Sequence, residues 1–167
     1  MKISKDLSFW FGLLLIFIII YLSLATYFSW FDIRFRIGPY FFTHWLSWIG
    51  SLFITFFTPT YYVLKRRIPK LLPKLIMIHM FGNLLSSMFI SMHFFQQISR
   101  PPQFYPDLGT GVALFAIVLI LVASGFLHKF QILKSIVPHQ NRFLHISITT
   151  AFYIVIIIHI LQGIGIF

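Results

Sequence analysis

Two pairs of histidines in this chain share the same spacing. His79 and His93 lie fourteen residues apart in one apolar segment, and His145 and His159 lie fourteen apart in another. Because each helical residue turns the chain by about 100°, both members of a pair lie on one helix face, roughly 21 Å apart along the axis. That distance fits within a hydrocarbon core of about 30 Å, with one histidine toward each surface. Histidine is a common axial ligand of haem iron, so two such helices could hold two haems at two depths.

The elements that must position these histidines are apolar helices. Of the 167 residues, 59% are hydrophobic and 10% are charged, whereas soluble domains average about 25% charged residues. Runs of roughly 18 or more apolar residues are typical of transmembrane helices. We therefore expect an all-α fold, an integral membrane bundle of five transmembrane helices that makes residues 1–167 a single haem-binding domain. The predicted helices cover about 7–30, 40–64, 75–97, 108–127 and 143–167.

Several kinds of site are excluded by residues that the sequence lacks. The chain has no cysteine, which excludes disulfides, iron–sulfur clusters, thiolate-ligated haem and covalent c-type haem attachment. Its only acidic residues are Asp6, Asp32 and Asp107, all outside the predicted spans, whereas proton pumps and cation transporters usually place carboxylates within them. We find no phosphate-binding loop, catalytic triad or Gly-rich nucleotide-binding motif.

The formal net charge of +10 indicates membrane topology and not nucleic-acid binding, because the basic residues lie in short segments between predicted spans. Positive residues accumulate on the cytoplasmic side of membrane proteins. Ten of the thirteen Lys and Arg residues lie at the N-terminus and in the second and fourth loops: Lys2, Lys5, Lys65, Arg66, Arg67, Lys70, Lys74, Lys129, Lys134 and Arg142. We expect a multi-pass protein of the plasma or inner membrane, with a cytoplasmic N-terminus and an extracytoplasmic C-terminus.

This topology makes helices 3 and 5 run in the same direction, so the histidines match in depth. We predict two b haems held between these helices, with His79 and His145 on the inner haem iron and His93 and His159 on the outer one. Arg142 and Arg100 lie near the corresponding ends, where each could bind haem propionates. Binding of another metal, a proton relay and a purely structural role remain alternatives for the four histidines. His44 and His128 are weaker candidates for contacts with propionates or with an electron-transfer partner.

The two histidine segments resemble the ferric reductase-like transmembrane domain family. They read HMFGNLLSSMFISMH in helix 3 and LHISITTAFYIVIIIH in helix 5. The resemblance covers about residues 40–165. That family includes ferric reductases, NADPH oxidases and the haem-binding membrane subunits of methionine sulfoxide reductase systems. The resemblance implies two stacked b haems on His79, His93, His145 and His159.

The chain also departs from that family. The family core usually has a sixth helix, and its best-known members continue into domains that bind FAD and NAD(P)H. This sequence ends after the fifth predicted helix, so we expect a separate flavoprotein, or a quinol, to supply electrons. A partner that contributes a sixth helix is an open alternative.

The predicted function is that of a dihaem b-type cytochrome. It would conduct electrons across the membrane from a cytoplasmic-side flavoprotein or quinol to an extracytoplasmic acceptor, which is a partner protein, a metal ion or oxygen. In this role the chain is an electron-transfer subunit of an oxidoreductase, surrounded by membrane lipid. Membership of a larger membrane complex is an open alternative. The alternatives are a His-lined transition-metal transporter and a structural membrane subunit of a larger complex.

Overall fold

A computed structural model shows a mostly helical chain. It describes residues 2–31, 33–101, 103, 109–130 and 138–166, with side chains from residue 7 onward and, in the last segment, from residue 140. The long helices are α1 (Lys2–Tyr27), α2 (Phe42–Arg67), α3 (Leu72–Ile98), α4 (Gly109–Phe130) and α5 (Pro138–Gly163). Two short antiparallel strands, β1 (Arg36–Ile37) and β2 (Tyr40–Phe41), lie between α1 and α2, and a 3₁₀ turn (Pro69–Leu71) precedes α3.

The helical character that the sequence predicts is confirmed. Within the described residues, four helical segments are long and apolar enough to cross a membrane: Leu7–Tyr27, Pro69–Ile98, Gly109–Phe130 and Gln140–Gly163. These segments indicate a membrane protein in contact with lipid. The α2 helix is not among them, because it mixes Thr, Ser, Trp and Tyr with its apolar residues and ends in three basic residues.

The predicted second helix begins two residues too early. Tyr40 pairs with Ile37 and Phe41 pairs with Arg36 in a two-stranded hairpin. Its turn contains Gly38 with a φ of 63°, a conformation that glycine adopts without steric cost. Strand pairing therefore holds Tyr40 and Phe41 extended, and α2 begins only at Phe42.

Other predicted boundaries shift because helices continue into the basic segments. The third helix begins at Leu72 and not at residue 75, since Pro73 is tolerated within a first helical turn. The fifth helix begins at Pro138 and not at residue 143, and it ends at Gly163. Lys74 and Arg142, which we had assigned to loops, are therefore helical. The first helix ends at Tyr27, before the predicted residue 30.

The chain divides into two compact units, Met1–Phe104 and Tyr105–Phe167. In the first unit, α1 and α3 run parallel, since Phe11 contacts Phe81 and Tyr27 contacts Phe95, with ring centroids 5.0 and 6.3 Å apart. The α2 helix packs antiparallel against α3, because the start of α2 meets the end of α3.

Small residues bring α2 and α3 close together. A Cβ atom added at Gly50 would lie 2.8 Å from the backbone oxygen of Ser86. The ring of Phe53 fills the space where Gly82 has no side chain. Ser86, Gly82 and their neighbours thus serve close helix packing, the commoner use of small residues in membrane helices.

The second unit is the antiparallel pair of α4 and α5. Its buried apolar residues are Leu114, Val118, Phe126, Phe152 and Ile156. Side-chain contacts join Thr110 to His159 near one end of the pair and Ser124 to His145 near the other. The helix packing in this unit therefore places both α5 histidines against α4.

Candidate functional site

The four predicted ligands occupy two helix faces, as the fourteen-residue spacing predicts. His79 and His93 of α3 both contact α2. His145 and His159 of α5 both contact α4. All four side chains are half-buried. The shared face within each pair is therefore confirmed.

The imidazole of His159 is oriented by a hydroxyl of α4. Its Nδ1 lies 3.1 Å from Thr110 Oγ1. The same hydroxyl donates its only proton to Gln162 Oε1, at 2.6 Å. Because a threonine hydroxyl has one proton, a hydroxyl that donates to Gln162 can only accept from His159, and it then accepts from Nδ1–H. In the neutral ring, this tautomer leaves the lone pair on Nε2.

His145, fourteen residues before His159, has a similar arrangement. Its Nδ1 lies 3.0 Å from Ser124 Oγ. The Ser124 hydroxyl also lies 3.2 Å from the backbone oxygen of Leu121. When it donates its proton there, its oxygen accepts from Nδ1–H of His145. With the hydrogen bonds assigned in this way, both α5 histidines have one tautomer, with the lone pair on Nε2.

Glycines of α4 make room for the same two rings. A Cβ atom at Gly111 would lie 3.5 Å from Cε1 of His159, and one at Gly125 would lie 3.4 Å from Cε1 of His145. Thr110–Gly111 and Ser124–Gly125 are themselves fourteen residues apart. This second repeat, a hydroxyl residue followed by glycine, is the signal that the sequence analysis missed.

His79 lies against aromatic side chains of α2. Its ring stacks on Tyr61, with centroids 4.8 Å apart and an interplanar angle of 14°. Phe57 lies one turn before Tyr61 on α2, with its ring centroid 6.4 Å from that of His79 and an interplanar angle of 23°. Asn83 Nδ2 is 3.4 and 3.5 Å from the two ring nitrogens. The structure therefore brings Tyr61 to a predicted ligand.

His93 meets a second histidine. The rings of His44 and His93 approach edge to face, with centroids 4.4 Å apart. Beside them, Thr43 donates a hydrogen bond to Gln96, and both residues are buried. His44 does not share the fourteen-residue spacing of the other histidines. Its partner lies on another helix, so the sequence does not indicate this contact.

The two arginines predicted to bind propionates differ in environment. Arg142 is exposed on α5. Arg100 follows α3 and lies 4.7 Å over the ring of Phe41. Burial, followed by the charges of Arg36 and Arg34, lowers the pKa of Arg100 below its usual value. Arg100 is therefore part of a concentrated positive cluster, whereas Arg142 is a solitary surface charge in its part of the described chain.

The predicted cross-helix pairs join residues of different units. His79 and His93 belong to the first unit, and His145 and His159 belong to the second. The pairs His79–His145 and His93–His159 therefore stay predictions. In the part of the chain that the structure describes, no three His or acidic side chains come together as a metal-binding group.

Comparisons with known proteins gave no match: no family model, no curated protein and no solved structure matches this chain. The resemblance to the ferric reductase-like family rests on the two histidine segments and stays a prediction.

Proposed function

We propose that this chain is a dihaem b-type membrane cytochrome that conducts electrons across the membrane. The observation that carries this proposal is the common orientation of His145 and His159. Each presents Nδ1–H to a hydroxyl of α4 whose own proton is donated elsewhere. Histidines that ligate metals through Nε2 need this support, since a hydrogen bond from the other ring nitrogen fixes the tautomer and the ring orientation.

The donor set fits haem iron. A haem-ligating imidazole is neutral and binds through one nitrogen lone pair. The two hydroxyls hold that lone pair on Nε2 of His145 and His159, and the adjacent glycines admit the rings. When bound, haem would supply one-electron transfer at iron. The protein residues would hold two such centres roughly 21 Å apart along the helix axis.

The remaining assignments in the proposal rest on the sequence. His79 pairs with His145 for the inner haem, and His93 pairs with His159 for the outer one. The α2 helix is the fifth span of the bundle. A flavoprotein or quinol on the cytoplasmic side delivers electrons, and an extracytoplasmic protein, metal ion or oxygen accepts them.

The decisive experiment is visible spectroscopy of the purified full-length chain. We expect narrow low-spin α and Soret bands after dithionite reduction, and two haems per chain by the pyridine haemochrome assay. His145→Ala and His159→Ala should each lower that ratio from about two to about one, because each removes one of two axial ligands. The matched control is His139→Ala, which removes a histidine to which the sequence analysis assigns no haem contact.

The outcomes discriminate among the candidate functions. A well-expressed, colourless chain would refute the haem proposal. Loss of the same haem in His79→Ala and His93→Ala would refute the pairing while leaving haem binding intact. Loss of haem in His139→Ala would show that removal of any histidine disturbs the fold.

The orientation in the membrane has its own test. The bias of ten to three basic residues places the C-terminus outside the cytoplasm. A compartment-specific reporter fused after Phe167 should be active only in the extracytoplasmic space, and one inserted near Arg67 only in the cytoplasm. A cytoplasmic C-terminus would contradict the predicted topology and would mean that one span was miscounted, with the first helix as the main candidate.

A further inference from the structure

The strongest charge feature outside the histidines is a cluster of arginines between the hairpin and the end of α3. Arg36 and Arg100 both lie over the ring of Phe41, with their guanidinium carbons 4.9 and 4.7 Å from its centroid. Both are therefore within about one Debye length of each other at 0.1 M salt. Arg34 joins them through a 3.2 Å hydrogen bond to Ser99, the residue before Arg100.

Arg100 has hydrogen-bonding capacity that the described protein does not use. Its Nη2 is buried and has no hydrogen-bond partner among the described residues. An unsatisfied buried donor destabilises the protein, and does so more when it is charged. The charges of Arg36 and Arg34 add repulsion, and together with burial they lower the pKa of Arg100. A ligand with several anionic oxygens would offset both costs.

The surroundings of the cluster indicate a lipid interface. Tyr40, Trp45 and Trp48 contact one another beside the hairpin, with centroids 5.4 to 5.9 Å apart. Trp45 and Trp48 remain substantially exposed, and Trp45 Nε1 donates to the backbone oxygen of Ile37 at 3.0 Å. Exposed Trp and Tyr residues concentrate at the depth of lipid headgroups.

We propose that Arg36 and Arg100 form a binding site for the phosphate of an anionic phospholipid. Arginine binds phosphate through paired, charge-assisted hydrogen bonds, and its planar group can stack on an aromatic ring at the same time. Phe41 holds both guanidinium groups in place. The local excess of positive charge disfavours a zwitterionic headgroup, whose cationic part would be repelled. This proposal does not depend on haem binding.

The test measures lipid binding to the full-length chain in detergent by native mass spectrometry. The probes are phosphatidylglycerol and phosphatidylcholine with identical acyl chains. We expect the wild type to prefer phosphatidylglycerol at least fivefold, and Arg100→Gln to weaken that binding roughly tenfold. Arg100→Lys should fall between them, because it keeps the charge and loses the planar fork. Arg36→Gln tests the site by a second, exposed residue.

The matched control is Arg67→Gln, which removes one exposed charge at the other end of α2. It should change phosphatidylglycerol binding less than twofold. Equal losses in Arg67→Gln and Arg100→Gln, or equal binding of the two lipids, would overturn the proposal. Circular dichroism checks that each variant remains helical.

Two further arms separate other occupants of the cluster. If selectivity for phosphatidylglycerol exists only in haem-free protein, and Arg100→Gln weakens haem retention, a haem propionate occupies the cluster and the lipid proposal is wrong. If the wild type has no selectivity and Asp32→Asn gains it, a carboxylate of the chain itself fills the site and the proposal is equally wrong. Selectivity that is independent of haem and lost in Arg100→Gln supports it.

Discussion

The two helix pairs surround equally spaced histidines in different ways. In the pair of α4 and α5, both rings receive a hydroxyl at Nδ1 and a glycine at Cε1. In the pair of α2 and α3, His79 stacks flat on Tyr61, whereas His93 meets His44 edge to face. The pair of α4 and α5 therefore makes the same contacts with both of its histidines, whereas the pair of α2 and α3 makes a different contact with each.

This difference shows what a sequence period can and cannot specify. A fourteen-residue spacing fixes which helix face carries two residues, because it follows from helix geometry. It does not fix their surroundings, which depend on the neighbouring helix. Groups that contact metal ligands tune the potential and affinity of the metal. If two haems bind, their differences should therefore arise from the α3 ligands and their similarity from the α5 ligands.

The largest effects should follow from removal of the two α4 hydroxyls. Ser124→Ala and Thr110→Val each leave a histidine Nδ1–H without its acceptor. Loss of such a supporting hydrogen bond typically lowers metal affinity by roughly 10- to 100-fold. We expect similar losses of haem affinity in the two variants, measured by haem transfer to an excess of apo-myoglobin.

The matched control is Thr150→Val, since the Thr150 hydroxyl bonds only within α5, to the backbone oxygen of Ile146 at 3.2 Å. It should retain wild-type haem affinity. If only one of Ser124→Ala and Thr110→Val lowers haem affinity, the equivalence of the two α5 sites is wrong.

A second prediction tests whether α2 and α3 approach each other more closely than α4 and α5 do. Gly50→Ala would push a methyl group into the α3 backbone, 2.8 Å from Ser86 O, and neither backbone can move aside easily. We expect a loss of about 1–3 kcal/mol in the free energy of unfolding. Gly111→Ala should cost much less, because its nearest neighbour is an imidazole atom at 3.5 Å.

Reversible unfolding in mixed micelles provides the measurement for both glycine variants. Gly163→Ala is the control for alanine on a helix, since among the described residues no atom beyond the local backbone lies within 4 Å of the added group. Equal destabilisation by Gly50→Ala and Gly163→Ala would contradict the close approach of α2 to α3.

The smallest effect should come from the aromatic partner of His79. Tyr61→Leu removes the ring stacked at 4.8 Å, and such a pair contributes about 0.5–1.5 kcal/mol. We expect a slightly faster loss of the haem bound by His79, followed by absorbance during thermal release. Tyr62→Leu is the neighbouring control, because Tyr62 contacts Lys65 and Arg66 and not a histidine in the described structure. If both variants behave alike, stacking on Tyr61 does not support His79.

Much of the fold could be predicted because apolar runs and helical periods are local properties. The sequence located all five helices, and it placed each histidine pair on one face. It was less accurate at the boundaries. Helix α5 starts at Pro138, since proline fits a first helical turn, and the hairpin at Arg36–Phe41 delays α2. Pairing between strands is not visible in a hydropathy pattern.

What the sequence determined by itself is the set of apolar helices, the excess of positive charge and the common face of each histidine pair. Tertiary structure alone decided that the hydroxyls of Thr110 and Ser124 lie against Nδ1 of His159 and His145, and that His44 meets His93. The reason is physical. A period along one helix depends only on backbone geometry, whereas a hydrogen bond or ring contact depends on the register and rotation of a second helix, which packing across many side chains sets.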